Sequence, residues 1–274
     1  MLALVAGQGS LPAIVLATLR SEGRPVVTCA MDGFPPDLGE PVDMPFRIEH
    51  LGSFIAGLKA RGVTSVCFAG AVRRPPIDPA AVDAATLPLA ERLMAALRFG
   101  DDGALRTILS FFEEAGLAIR AAHEAVPDLL PPEGVPTLAK PSDSDGADAG
   151  RAEAIVAALG RVDVGQACVV AAGQALAIEA LPGTDAMLAT LTPRPEGLPA
   201  GGLLYKAPKP GQDRRVDLPT IGPATVEAAA AAGLSGVTIA AGGVIVLDRD
   251  AAIAAADATG LFLWVRRPMP ETAG

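Results

Sequence analysis

The chain has 274 residues, enough for one large α/β domain or two ordinary ones with a sizeable core. Half of the residues are hydrophobic and only 19% are charged, which excludes intrinsic disorder; aromatics make up 4%, so the core must be built from Ala, Val, Leu and Ile. A formal net charge of −9 offers no basic stripe to a phosphate backbone, which excludes nucleic acid as the expected partner.

In chain order, residues 2–6, 25–31, 46–50, 65–69 and 118–122 read as apolar strands. Between them, 11–22, 53–61, 87–99 and 103–115 read as helices. Continuous apolar strands separated by helices predict a parallel sheet covered on both faces, a Rossmann-like domain over residues 1–130. Residues 131–150 carry four prolines and almost no periodic hydrophobics, and are expected to be a linker with a helix starting near Asp148. Residues 151–274 are expected to form an α+β domain, so the fold class is α/β with a ligand cleft between two domains. There, 167–180 suggests a hairpin turning at Ala172-Gly173, and the pattern returns 69 residues later as VTIAAGGVIVLDR. That echo aligns Cys168 with Val237, Gln174 with Gly243 and Glu179 with Asp248, predicting two related strand–turn–strand–helix units.

Cys29, Cys67 and Cys168 lie in apolar runs with no metal-ligand spacing and are expected to be buried, reduced thiols. The opening LALVAG has no basic n-region, and no run reaches the ~18 apolar residues of a membrane span. A soluble, cytoplasmic protein is expected.

The first candidate site is Gly7-Gln8-Gly9-Ser10, between a strand and a helix, where glycines admit close approach and free amides favour phosphate. Ser10 can cap that helix, and a tight turn without ligand explains the segment equally. Pro12 stands where a dinucleotide fingerprint needs its third glycine, which weakens an NAD-dependent oxidoreductase reading. Arg73 and Arg74 follow the strand at 65–69, where ligands of doubly wound sheets collect, and are either phosphate ligands or solvated loop arginines. His123 follows 118–122 in the same way, whereas His50 is expected to end a strand at the surface. Asp101 and Asp102 either complement a helix N-terminus or hold a divalent cation.

The strongest signal is the proline-punctuated segment from Lys206 and Lys209 through Gln212, Asp213, Arg214 and Arg215 to Asp217. Prolines lower the entropy lost on ordering, and carboxylates beside cations suit attack of water on a phosphoryl centre. A salt-bridged surface loop is the alternative. Gln174, Glu179, Thr184 and Asp185 form a smaller polar group, of which Thr184 or Asp185 can cap the following helix.

These strings carry a resemblance. AGQGSLP, GAVRRP, GDDGALR, EALPGTDAM and above all KAPKPGQDRRVDLPTIGP are similar to the LpxI-type UDP-2,3-diacylglucosamine pyrophosphatases of lipid A biosynthesis, over nearly the whole chain. The resemblance implies a two-domain cytoplasmic hydrolase, peripheral at the inner membrane and homodimeric. It would convert UDP-2,3-diacylglucosamine to 2,3-diacylglucosamine 1-phosphate and UMP with Mg²⁺ or a similar cation.

On that basis the expected reaction is one in-line displacement by water. Asp185, Asp213 and Asp217 would hold the cation, and Lys206 and Lys209 would stabilise charge on departing UMP. Gly7, Gln8, Gly9, Ser10, Arg73, His123, Gln174, Thr184, Asp185 and Lys209 are the expected substrate contacts. The catalytic set is Lys206, Asp213, Asp217 and the position of Ala224, where members of the family often carry an acidic residue. Either that acid is dispensable, or the chain is an impaired form that binds the nucleotide-sugar lipid and retains it.

Overall fold

Strands buried on both faces need helices on either side, and the first half of the chain supplies them in alternation. The structure, a computed structural model, describes residues 1–72, 75–96 and 101–268. The chain divides into two units, Met1–Pro127 and Asp128–Gly274.

In the first unit, the strands are β1 (Leu2–Ala6), β2 (Val26–Met31), β3 (Met44–Phe46), β4 (Ser65–Ala69) and β5 (Ala118–Arg120). Its helices are α1 (Leu11–Ser21), α2 (Leu51–Ala60), α3 (Leu87–Ala96), α4 (Asp101–Glu114) and the short α5 (Ala122–Ala125). All five strands are parallel, in the order β3-β2-β1-β4-β5. Strand order reverses between β1 and β4, and such a switch point is where doubly wound sheets present their ligand loops. Every residue of β1 is buried, as a central parallel strand requires.

Residues 46–50 do not form the expected strand. β3 ends at Phe46, and Ile48–His50 is a 3₁₀ turn. The reason is Glu49, only 3% exposed: it accepts from the Arg47 guanidinium at 3.1 and 3.2 Å and from the Asp78 amide at 3.0 Å. A carboxylate drawn inward by two donors bends the backbone that a bare apolar–polar alternation would leave extended. His50 is exposed, as expected.

The second unit contains α6 (Asp143–Arg161), β6 (Ala167–Ala171), β7 (Gln174–Ile178), α7 (Gly183–Ala189) and β8 (Leu203–Lys206). It continues with β9 (Thr220–Ile221), α8 (Pro223–Ala231), β10 (Gly236–Ala240), β11 (Ile245–Val246), α9 (Arg249–Thr259) and β12 (Phe262–Arg266). Its main sheet runs β12-β10-β8-β6-β7; β8, β10 and β12 are parallel, while β6 is antiparallel to both neighbours. Side-chain alternation splits its core. Cys168, Val170, Leu203, Tyr205 and Phe262 pack with α6 residues Ala149, Ala152 and Val156. Val169, Leu204, Val237 and Leu263 pack with Leu188, Val226 and Ala252 of α7, α8 and α9.

Residues 131–150 are not a free linker. Gly134 and Val265 exchange backbone hydrogen bonds of 3.0 and 2.9 Å, and the buried Thr137 hydroxyl accepts from Leu263 N at 3.0 Å. This stretch thereby satisfies donors and acceptors along β12 that an open sheet edge would leave unpaired. Helix α6 starts at Asp143, capped by Ser142 and Asp145, rather than near Asp148.

The expected hairpin at Ala172-Gly173 is present, with φ of +49° and +75° at the two turn residues. Its predicted echo is not. β11 pairs in parallel with β9 instead of folding back on β10. The cause is topological: β10 is flanked by β8 and β12, so it has no open edge for a returning strand.

Candidate functional site

In the first unit, the loops after β1 and β4 close on one another. Gly7 N donates to Ala69 O at 2.8 Å, and Gln8 and Ala71 exchange backbone hydrogen bonds of 2.8 and 2.9 Å. A Cβ on Gly7 would lie 2.6 Å from the Ala71 carbonyl oxygen, and one on Gly70 (φ +88°) would lie 2.7 Å from that of Gln8. These glycines therefore permit backbone to meet backbone. The amides of Gly7 and Gln8 are spent on this contact. What the turn offers a ligand is the exposed Gln8 side chain, Gly9 and Ser10. Ser10 occupies the N-cap of α1, but its hydroxyl makes no capping bond.

His123 lies on α5, directly after β5, and α5 packs against α1 and β4. The imidazole is therefore held at the same carboxyl end of the sheet as the glycine turn. Its Nδ1 is buried with no hydrogen-bond partner, and burial pushes its pKa below the ordinary histidine value against the opposing pull of Glu124. Arg73, Arg74 and Gly100 lie outside the described residues; α4 begins at Asp101.

The second unit assembles a polar group from three distant stretches of sequence. β8 is buried throughout, and alternation puts Lys206 on the face of Leu204, opposite Tyr205. Lys206 is only 7% exposed. Its ammonium donates to Thr184 Oγ1 at 2.7 Å and to the Thr220 carbonyl at 3.1 Å. The buried Thr184 hydroxyl in turn donates to the carboxylate of Glu179, also buried. Burial lowers the Lys206 pKa, while the negative charges of Glu179 and Asp185 oppose that shift. Asp185 is exposed in the first turn of α7.

The segment after β8 is held by its own side chains. Asp213 accepts from Arg215 Nη2 at 2.7 Å, from Nε at 2.9 Å and from its backbone amide at 3.1 Å. Asp217 accepts from Gln212 Nε2 at 2.5 Å, and Gln212 Oε1 accepts from Lys209 N at 3.0 Å. The Lys209 ammonium pairs with Asp163, just past α6, at 2.6 Å, rather than joining Lys206. Gln174 is also apart. It faces Ala171 at one end of β6, whereas Lys206 faces Ala167 at the other, about 13 Å away at the usual strand rise.

Among the described residues, no three or more His, Cys, Asp or Glu gather as a metal cluster. The three aspartates expected to share a cation are engaged separately: Asp213 with Arg215, Asp217 with Gln212, and Asp185, exposed on α7, through its charge with Lys206. These carboxylates do not form a preassembled ligand set. Ala224 is exposed in the first turn of α8, a turn with no acidic residue.

Sequence reasoning had Glu179 and Thr184 in one polar group and Lys206 in another; the link between the two is a product of the fold. It missed the Thr220 carbonyl and Asp163. A main-chain acceptor leaves no trace in residue identity, and Asp163 has no motif around it.

The sequence comparisons agree on both units. Residues 1–129 match the family model of the LpxI N-terminal domain and residues 132–264 that of the LpxI C-terminal domain. The chain is similar to the UDP-2,3-diacylglucosamine pyrophosphatase LpxI of Caulobacter vibrioides, at 40% identity over 268 residues, covering 96% of each chain.

Proposed function

The chain belongs to the LpxI family, and from that premise we propose that it hydrolyses the pyrophosphate of UDP-2,3-diacylglucosamine, releasing 2,3-diacylglucosamine 1-phosphate and UMP. The observation that carries this reading is 40% identity to a pyrophosphatase of that name across 96% of both chains. Water adds to one phosphorus, the bridging P–O bond breaks, and the displaced phosphate leaves as the second product.

Lys206 is the residue equipped to assist. Two of its three N–H bonds have acceptors in Thr184 and Thr220, leaving one for a phosphoryl oxygen. A cation held in place before reaction stabilises developing negative charge without reorganising first. The Gln212–Asp217 and Arg215–Asp213 contacts stiffen the segment that follows β8, so Asp213 and Asp217 serve the site by holding this loop in shape. A divalent cation such as Mg²⁺ belongs to the same reading as a companion of the pyrophosphate. So do a homodimer and peripheral contact with the inner membrane; no helix among the described residues is long and apolar enough to cross one.

Ala224 favours a second reading, in which the chain binds the same lipid and turns it over poorly. Incubating the purified protein with UDP-2,3-diacylglucosamine, with Mg²⁺ or with EDTA, and following both products by mass spectrometry separates the two. UMP together with the lipid 1-phosphate is the expected result. Intact substrate recovered bound to the protein would replace the hydrolase with the retaining form.

A further inference from the structure

The Glu179–Thr184–Lys206 chain has only one way to distribute its protons. An ammonium can only donate and a carboxylate only accept, whereas a hydroxyl has a single proton to give. With Lys206 donating to Thr184 Oγ1, the Thr184 proton must point elsewhere, and Glu179 receives it. All three side chains are 9% exposed or less, so water does not compete freely for these bonds. A buried cation without compensation is costly, and here the compensating carboxylate acts through an intervening hydroxyl.

We propose that Glu179 is a positioning residue for Lys206: by taking the Thr184 proton it turns the Thr184 oxygen toward the ammonium and aims the remaining N–H at the substrate phosphate. This rests on the hydrolase reading above for its substrate, but its geometry belongs to the resting protein. The charges facing Lys206 are Glu179, beyond β7, and Asp185, on α7. Its register partners Ala167 on β6 and Ile239 on β10 bring none, and the β9 strand contributes the Thr220 carbonyl.

A role limited to pinning the β7–α7 connection would alter melting but leave kcat unmoved in Thr184→Val. The chain has four lysines, Lys59, Lys140, Lys206 and Lys209, so each side-chain signal can be assigned by heteronuclear NMR on the full protein. Glu179→Gln keeps an acceptor for the Thr184 hydroxyl and removes the charge. Its Lys206 titration is expected at lower pH than in the parent protein, and the alkaline limb of kcat is expected to move the same way. Thr184→Val should lower kcat by about 10²-fold with little change in KM, the scale seen when one transition-state donor is lost. Thr184→Ser should restore both the rate and the titration.

An unchanged Lys206 titration in Glu179→Gln would overturn the proposal. If that variant does not fold, a Thr184→Val protein with the parent's Lys206 titration and kcat overturns it equally. Because titration is read without turnover, an absence of UMP release counts against the hydrolase reading alone.

Discussion

Asp213 and Arg215 share a two-pronged contact, so removing either abolishes that contact. Arg215 is 40% exposed, which limits the worth of the pair to about 1 kcal/mol. Asp213→Ala, Arg215→Ala and the double variant should therefore lose similar amounts of thermal stability; fully additive losses would show the two acting apart. Ala224 is the other position where one residue decides between readings. It is exposed in the first turn of α8, where a carboxylate complements the helix dipole by about 0.3–1 kcal/mol, so Ala224→Asp should not cost stability. If the chain is an impaired form, this variant should release UMP about tenfold faster or more, a difference of ~1.4 kcal/mol in barrier. Equal turnover would retire that reading. At this scale the sequence was informative about residue types: the cations and carboxylates after Lys206 stood out. It was silent on partners, because Lys209 reaches Asp163 across 46 positions and nothing local to either signals the pairing.

Elements depend on a few buried contacts that propensity alone does not reveal. The β6–β7 turn places Ala172 at φ +49°, an unfavourable region for a residue with a Cβ. It is held there by Asp148 of α6, whose carboxylate accepts from Ala172 N at 3.0 Å and Gly173 N at 2.6 Å. Asp148 is only 5% exposed, so Asp148→Ala should destabilise by about 1–3 kcal/mol in denaturant titration, since two amides lose their acceptor. A loss near zero would mean that water replaces the carboxylate. Glu49 makes a comparable contact in the first unit, and its pKa is pulled down to about 2 by Arg47 and the Asp78 amide. A lowered carboxylate pKa favours folding above the unfolded value near 4.5, and that contribution disappears as pH falls toward 2. Glu49→Gln should accordingly flatten the acid side of the stability profile, measured as melting temperature between those two pH values. An unchanged acid limb would assign the pH dependence to other carboxylates. The Glu49 contact explains where one element reading went astray: residues 46–50 read as a strand, and the inward carboxylate makes them turn.

Each unit has its own five-stranded sheet, and among the described residues no strand is shared between them. The second unit packs both faces of its sheet, α6 on one and α7, α8 and α9 on the other. Residues 128–274 expressed alone should therefore melt cooperatively; a non-cooperative melt would show that this unit needs the first to fold. From the sequence by itself came the succession of strands and helices, the aliphatic character of both cores, the burial of all three cysteines and the family resemblance. All of these follow from local pattern, because period and residue type are read within a few neighbouring positions. The tertiary structure alone decided that β11 joins β9, that 131–150 covers β12, and that Glu179, Thr184 and Lys206 meet. Those outcomes depend on which sheet edges are free and which distant chains share one buried space, and neither property resides in any local stretch of sequence.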